Sequence, residues 1–168
     1  MRDGRISASE PAGIYLGNAR AHGSQLKGNE MFGFLEGHEP PAEPLRMNEI
    51  VLAYLGDCVY ELYVRNLSVE EGPPRTRELS RISARHSKAA YQAQALKRIR
   101  PLLTEDEESV VRRAKNKKIT SKPKNADPME YKEATAFEAL IGYLYLTEQH
   151  ERMETMIRMV LEPEKGEN

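Results

Sequence analysis

Apolar residues in this chain fall into long blocks separated by prolines and charged turns, and nowhere do they alternate singly with polar ones over a useful length. The pattern predicts helices and no strands. The first helix begins near residues 45–48, with Asn48 as its N-cap, and runs to about Ser68 before Pro73 and Pro74 stop it, with a bend allowed at Gly56. Thr76 can cap a second helix from Arg77 to Leu96 or Ile99. Its apolar face takes Leu79, Ile82, Ala89, Ala90, Ala93 and Leu96, and its other face carries Arg77, Arg81, Arg85, Lys88 and Lys97. After Pro101, Thr104 and Glu107 have the spacing of a capping box, which explains the acids of 105–108 as a helix start rather than as chemistry. Pro128 opens a long helix, Met129 to Thr147. Glu148 or Gln149 to Leu161 makes a last short one, ended by Pro163.

Two carboxylates disturb this pattern. Ile50 to Val64 is apolar on almost every side yet contains Asp57, and Ala134 to Leu146 repeats the arrangement around Glu138. A buried ionised carboxylate must be paired, hydrogen-bonded or metal-bound, and no Lys or Arg lies within a helical turn of Asp57. If the two helices pack side by side, both acids can face one point, where a hard divalent cation such as Mg²⁺ would relieve them together. Other readings stay open: Asp57 as an N-cap after a break at Gly56, and Glu138 as a buried acid satisfied by hydrogen bonds. Glu61 and Thr135 lie one turn from Asp57 and Glu138 and can orient a ligand or water, though for Thr135 plain packing serves equally well.

Composition narrows the classes. A length of 168 residues with 39% hydrophobic content suits one domain with a core. Residues 1–44, rich in Gly, Ser and Pro, are expected to be a flexible N-terminal extension or a segment that orders on a partner. Residues 45–162 are expected to form the folded domain and 163–168 a C-terminal tail. The single cysteine, Cys58, excludes an internal disulfide framework and is expected to be a small core residue. No stretch is long and apolar enough to span a bilayer and no signal-peptide pattern follows Met1, so a cytoplasmic protein without a membrane partner is expected.

The net charge of -1 hides strong local segregation. Arg112, Arg113, Lys115, Asn116, Lys117, Lys118, Lys122 and Lys124 form a basic stretch without an acid, which is either a solvated surface or a set of phosphate contacts. None of the four histidines has a Glu three residues before it, which argues against a di-iron bundle, and no Gly-x-Ser-x-Gly turn or thiol–histidine pair supports a nucleophilic hydrolase. Oxygen-ligated Mg²⁺ beside a basic patch remains, and it suits phosphodiester hydrolysis.

The run Tyr54-Leu55-Gly56-Asp57-Cys58-Val59-Tyr60-Glu61 resembles the signature helix of ribonuclease III domains, and Thr135-Ala136-Phe137-Glu138-Ala139-Leu140-Ile141-Gly142 resembles the helix that supplies their second metal-binding acid. The resemblance covers roughly Asn48 to Val160. It is narrower to the small Mini-ribonuclease III branch, which has the catalytic domain without a double-stranded RNA-binding domain. The short chain, the path from the basic stretch through Pro123-Lys124-Asn125 to Glu138, and Ala53 in place of an acid favour that branch.

The resemblance implies an all-α, ribonuclease III-type homodimer that binds double-stranded precursor RNA. Asp57 and Glu138 would serve as catalytic metal ligands, Mg²⁺ as cofactor, and residues 112–124 as an RNA clamp. It implies cuts leaving 5′-phosphate and 3′-hydroxyl ends and a role in maturing 23S ribosomal RNA, with a ribosomal protein or pre-ribosomal particle as a further partner. Ile50, Ala53 and Thr135 are neutral where longer relatives carry acids, so a more hydrated metal site is expected and the number of ions stays open. Two rivals remain: a catalytically inactive RNA-binding ribosome assembly factor of the same fold, and a helical dimerisation module whose acids bind nothing.

Overall fold

The computed structural model describes residues 40, 42–72, 75–118 and 127–162. A 3-10 turn at Pro44–Arg46 leads into six helices: α1 (Glu49–Glu71), α2 (Thr76–His86), α3 (Ala89–Ile99), α4 (Glu105–Asn116), α5 (Pro128–Leu146) and α6 (His150–Leu161). Among these residues there is no strand, and no helix is long and apolar enough to cross a membrane. The expected N-terminal extension (residue 40 and residues 42–44 apart) and tail, and Lys122 and Lys124 of the basic stretch, lie outside the described residues.

Local chemistry sets most boundaries. The Asn48 side chain accepts from the Ile50 amide, and the Asp127 side chain accepts from the Met129 and Glu130 amides ahead of Pro128 at the first helical position. Thr104 and Glu107 complete their capping box in both directions. Glu107 is also buried, and Arg152 of α6 bonds it and the Leu102 carbonyl. Burial pushes the Glu107 carboxyl up, but the bonds from Arg152 and Thr104 outweigh it and hold the group below its ordinary range.

α5 is the axis of the core. α1 covers it along most of its length, and α3, α4 and α6 pack around the remainder. From Ala134 to Leu144 it is buried on nearly every side, apart from Thr135 and Glu138, which are half-buried. Tyr60 of α1 meets Phe137 of α5 edge to face at 5.0 Å, both rings fully enclosed.

Three expectations are corrected. The second helix is two, α2 and α3: the first ends at His86 with Ser87 as its C-cap, whose hydroxyl bonds Glu61 of α1, and the second starts at Ala89 after Lys88 turns to an extended conformation. Thr76 is the first residue of α2 rather than its cap; the N-cap is Arg75, with no side-chain bond. α1 is not buried all round: Ile50, Val51, Tyr54, Cys58 and Leu62 are exposed, Tyr54 at 77%. Cys58 is therefore a surface residue, because the helix turns its other side to α5.

Candidate active site

α1 and α5 meet backbone to backbone. A methyl group on Gly56 would fall 1.8 Å from the Glu138 carbonyl oxygen and 2.6 Å from the Gly142 amide nitrogen, and one on Gly142 would fall 2.1 Å from the Leu52 carbonyl oxygen. Only glycine at both positions permits this approach. Asp57 follows Gly56, and Glu138 lies one helical turn before Gly142, so the contact carries both acids to the same place. α1 runs unbroken through Gly56, which excludes the N-cap role for Asp57.

Both acids line an open cleft of about 780 Å³ between α1 and α2, together with Glu61, Arg65, Ser83 and Ser87. Asp57 stands exposed at its mouth, whereas Glu138 is half-buried. Glu138 forms no ion pair among the described residues. Burial first, and then the charge of Asp57, push its carboxyl up to about 7, while the Gln92 amide works in the opposite direction. Partial desolvation and the Glu61 charge also raise Asp57. The repulsion between the two acids falls on Glu138, the more buried partner. Glu61 is held in place, its Oε1 accepting from Arg65 Nε at 2.8 Å and its Oε2 from Ser87 Oγ at 2.5 Å.

Gln92, Arg65 and Ser87 were not singled out from sequence. Gln92 carried a signal, being an amide in register with the apolar face of its helix. It is buried, and its Nε2 approaches Glu138 without completing a hydrogen bond of its own. Thr135 donates its hydroxyl to the Tyr131 carbonyl within α5, so packing accounts for it. Among the described residues no three His, Cys, Asp or Glu side chains converge as a metal-holding group; the acids are a pair.

The basic stretch divides. Arg113 Nε and Lys117 Nζ lie 2.9 and 3.2 Å from the two oxygens of Glu49, and Lys115 Nζ lies 3.0 Å from Glu133. Arg112, Asn116 and Lys118 are exposed. Three of the expected clamp residues thus tie α4 to α1 and α5.

Residues 50–149 match the Ribonuclease III domain family. Curated relatives named Mini-ribonuclease 3 include one from Symbiobacterium thermophilum, 46% identical over 70% of this chain and 90% of its own length, and one from Brevibacillus brevis, 38% identical over 80% of this chain and 100% of its own. A crystal structure of a Fusobacterium nucleatum protein is 34% identical, with a TM-score of 0.66, covering 71% of this chain and 97% of that one. The chain belongs to the ribonuclease III family. Within it, the relatives place the chain in the Mini-ribonuclease 3 branch, and its activity is that of an endoribonuclease.

Proposed function

We propose that the protein cleaves double-stranded regions of precursor RNA with Mg²⁺ held by Asp57 and Glu138, acting in the cytoplasm in the maturation of 23S ribosomal RNA ends. One observation carries the site assignment: the Gly56–Gly142 contact sets two carboxylates without a basic partner in one cleft. The donor set fits a hard cation, since both acids are raised by burial and by a neighbouring carboxylate and both offer oxygen. When bound, the ion supplies a water of lowered pKa and charge stabilisation at the scissile phosphate. The chain's own part is to hold the ligands. The glycine contact fixes the main chain beneath both acids, Ser87 and Arg65 keep the Glu61 charge beside Asp57, and α2 walls the cleft opposite α1. Asp57 and Glu138 are the two acidic residues that would hold the ion, which leaves it more open to water than a site with more carboxylates. Residues 45–162 are the catalytic unit in this reading, and Arg112, Asn116 and Lys118 are the residues of the α4 stretch best exposed to phosphates.

The exposed side of α1 supports a homodimer. Val51, Tyr54, Cys58 and Leu62 recur at helical spacing, a stripe that a two-fold partner would cover. Such a pair would present two clefts to one duplex, whose shape, with its wide minor groove, suits recognition without base reading.

The test is cleavage of an end-labelled RNA duplex and of a 23S precursor by wild type, Asp57→Asn and Glu138→Gln, with Mg²⁺ and with excess chelator, with helix content checked in parallel. Metal-dependent cutting by wild type alone, with all three folded, supports the reading. Equal cutting by either variant removes that residue from the site.

A further inference from the structure

The basic strip on α2 has no part in the site as described so far. Arg77, Arg81 and Arg85 recur every four residues, and Lys88 follows just past the helix end; all four are exposed. Their neighbours in sequence face the cleft: Thr76, Ser80, Ala84 and Ser87 line it with Asp57 and Glu138. On a helix, a residue one position after a cleft-lining residue is turned about 100° away from it, so the strip forms the outer lip of the cleft. The only acid within α2 is Glu78, whose carboxylate lies 3.5 Å from Arg81 in an exposed pair of little strength. Among the described residues Arg77, Arg85 and Lys88 have no ion-pair partner. The α4 stretch is the reverse case, with Arg113, Lys115 and Lys117 bound to Glu49 and Glu133.

We propose that this strip is a second RNA-backbone site, holding phosphates of the strand that leads to Asp57 and Glu138. The inference rests on the reading of the cleft as a nuclease site and adds to it a cationic surface that is little compensated among the described residues. Charge complementarity identifies the occupant. Arginine favours phosphate through its forked donors, and the strip offers no large apolar side chain for a protein partner. From Arg77 to Arg85 the helix advances about 12 Å, enough to reach more than one phosphate. The hydroxyls of Thr76 and Ser80 beside it are suited to ribose and phosphate oxygens.

The experiment measures binding of a fluorescent RNA duplex to the full chain in chelator, so that the RNA stays intact, between 50 and 200 mM salt (about the range over which phosphate contacts are read out). Wild type is compared with Arg81→Ala/Arg85→Ala and with Arg81→Lys/Arg85→Lys, whose unchanged helix content and melting show that the exposed changes leave the fold intact. The alanine pair is expected to weaken binding about tenfold at the lower salt and to flatten the log–log salt slope by about one to two. The lysine pair should keep the wild-type slope, because point charge survives. Wild-type affinity and slope in the alanine pair would overturn the proposal and turn attention to an acidic protein as the strip's partner. Absence of duplex binding by wild type itself would overturn the nuclease reading and this site with it.

Discussion

α1 and α5 look like one design written twice, each an apolar run that sets a cleft-lining acid close to a glycine, yet the fold uses them differently. α5 is enclosed from Ala134 to Leu144, whereas α1 shows Tyr54, Cys58 and Leu62 to solvent. The acids inherit the difference. Glu138, on the enclosed helix, is pushed up by burial and by the Asp57 charge, and Asp57, raised by partial burial and by Glu61, stays at the mouth of the cleft. A uniformly apolar helix therefore states how much surface must be covered, without stating whether its own chain does the covering.

The contact shared by the two helices offers the harshest way to break the comparison. Gly56→Val places side-chain atoms inside the α5 main chain, and backbone cannot move aside as a flexible side chain can. We expect a loss above about 4–5 kcal/mol, the exceptional class for one substitution, read by urea unfolding. Next comes the core of the enclosed helix. Phe137→Ala removes a fully buried ring packed edge to face against Tyr60 and should cost about 3–5 kcal/mol.

A gentler test separates the acids. The Glu138 carboxyl is raised from 4.5 to about 7, so its contribution to stability is whole below about pH 4.5 and is lost as the pH rises through 7. In metal-free protein, Glu138→Gln should remove that pH dependence and raise stability at pH 8 by about 2 kcal/mol, the shift allowing no more than about 3. Mg²⁺ should then stabilise wild type at pH 8 and leave the variant unmoved. Glu107 supplies the opposite sign within the same molecule. Held low by Arg152 and Thr104, it contributes stability above its unfolded pKa that is lost as the pH falls through its lower folded value.

The smallest expected effect on folding belongs to the exposed helix. Tyr54→Ala should change monomer stability by less than about 0.5 kcal/mol. If the open stripe of α1 is a two-fold interface, the same change should shift the sedimentation profile towards monomer; an unaltered profile would place the interface elsewhere.

What could be read in advance was local. Asn48, the Thr104/Glu107 box and Pro128 announce their helices because each acts on amides within a few residues. The pairing of Asp57 with Glu138 was also legible, since two lone acids in apolar helices leave few ways to be satisfied. The break at Ser87 was not, because no proline or glycine marks it, and the Glu61 that Ser87 bonds is distant in sequence and met only once α1 and α2 are side by side. The same holds for the basic stretch. Nothing near Arg113, Lys115 or Lys117 in sequence reveals that Glu49 and Glu133 will claim them.

The glycine contact also bears on how such a protein can change over generations. The spacing of Asp57 and Glu138 is set by main chain against main chain, not by the fit of side chains between helices. Leu, Ile, Val and Met in the surrounding core are therefore free to exchange for one another, within the volume the core allows, without moving the two acids apart. The spacing of the two acids and the hydrophobic filling are separate inheritances. A lineage can drift far in one while the other stays fixed by two residues that have no side chain to mutate gradually.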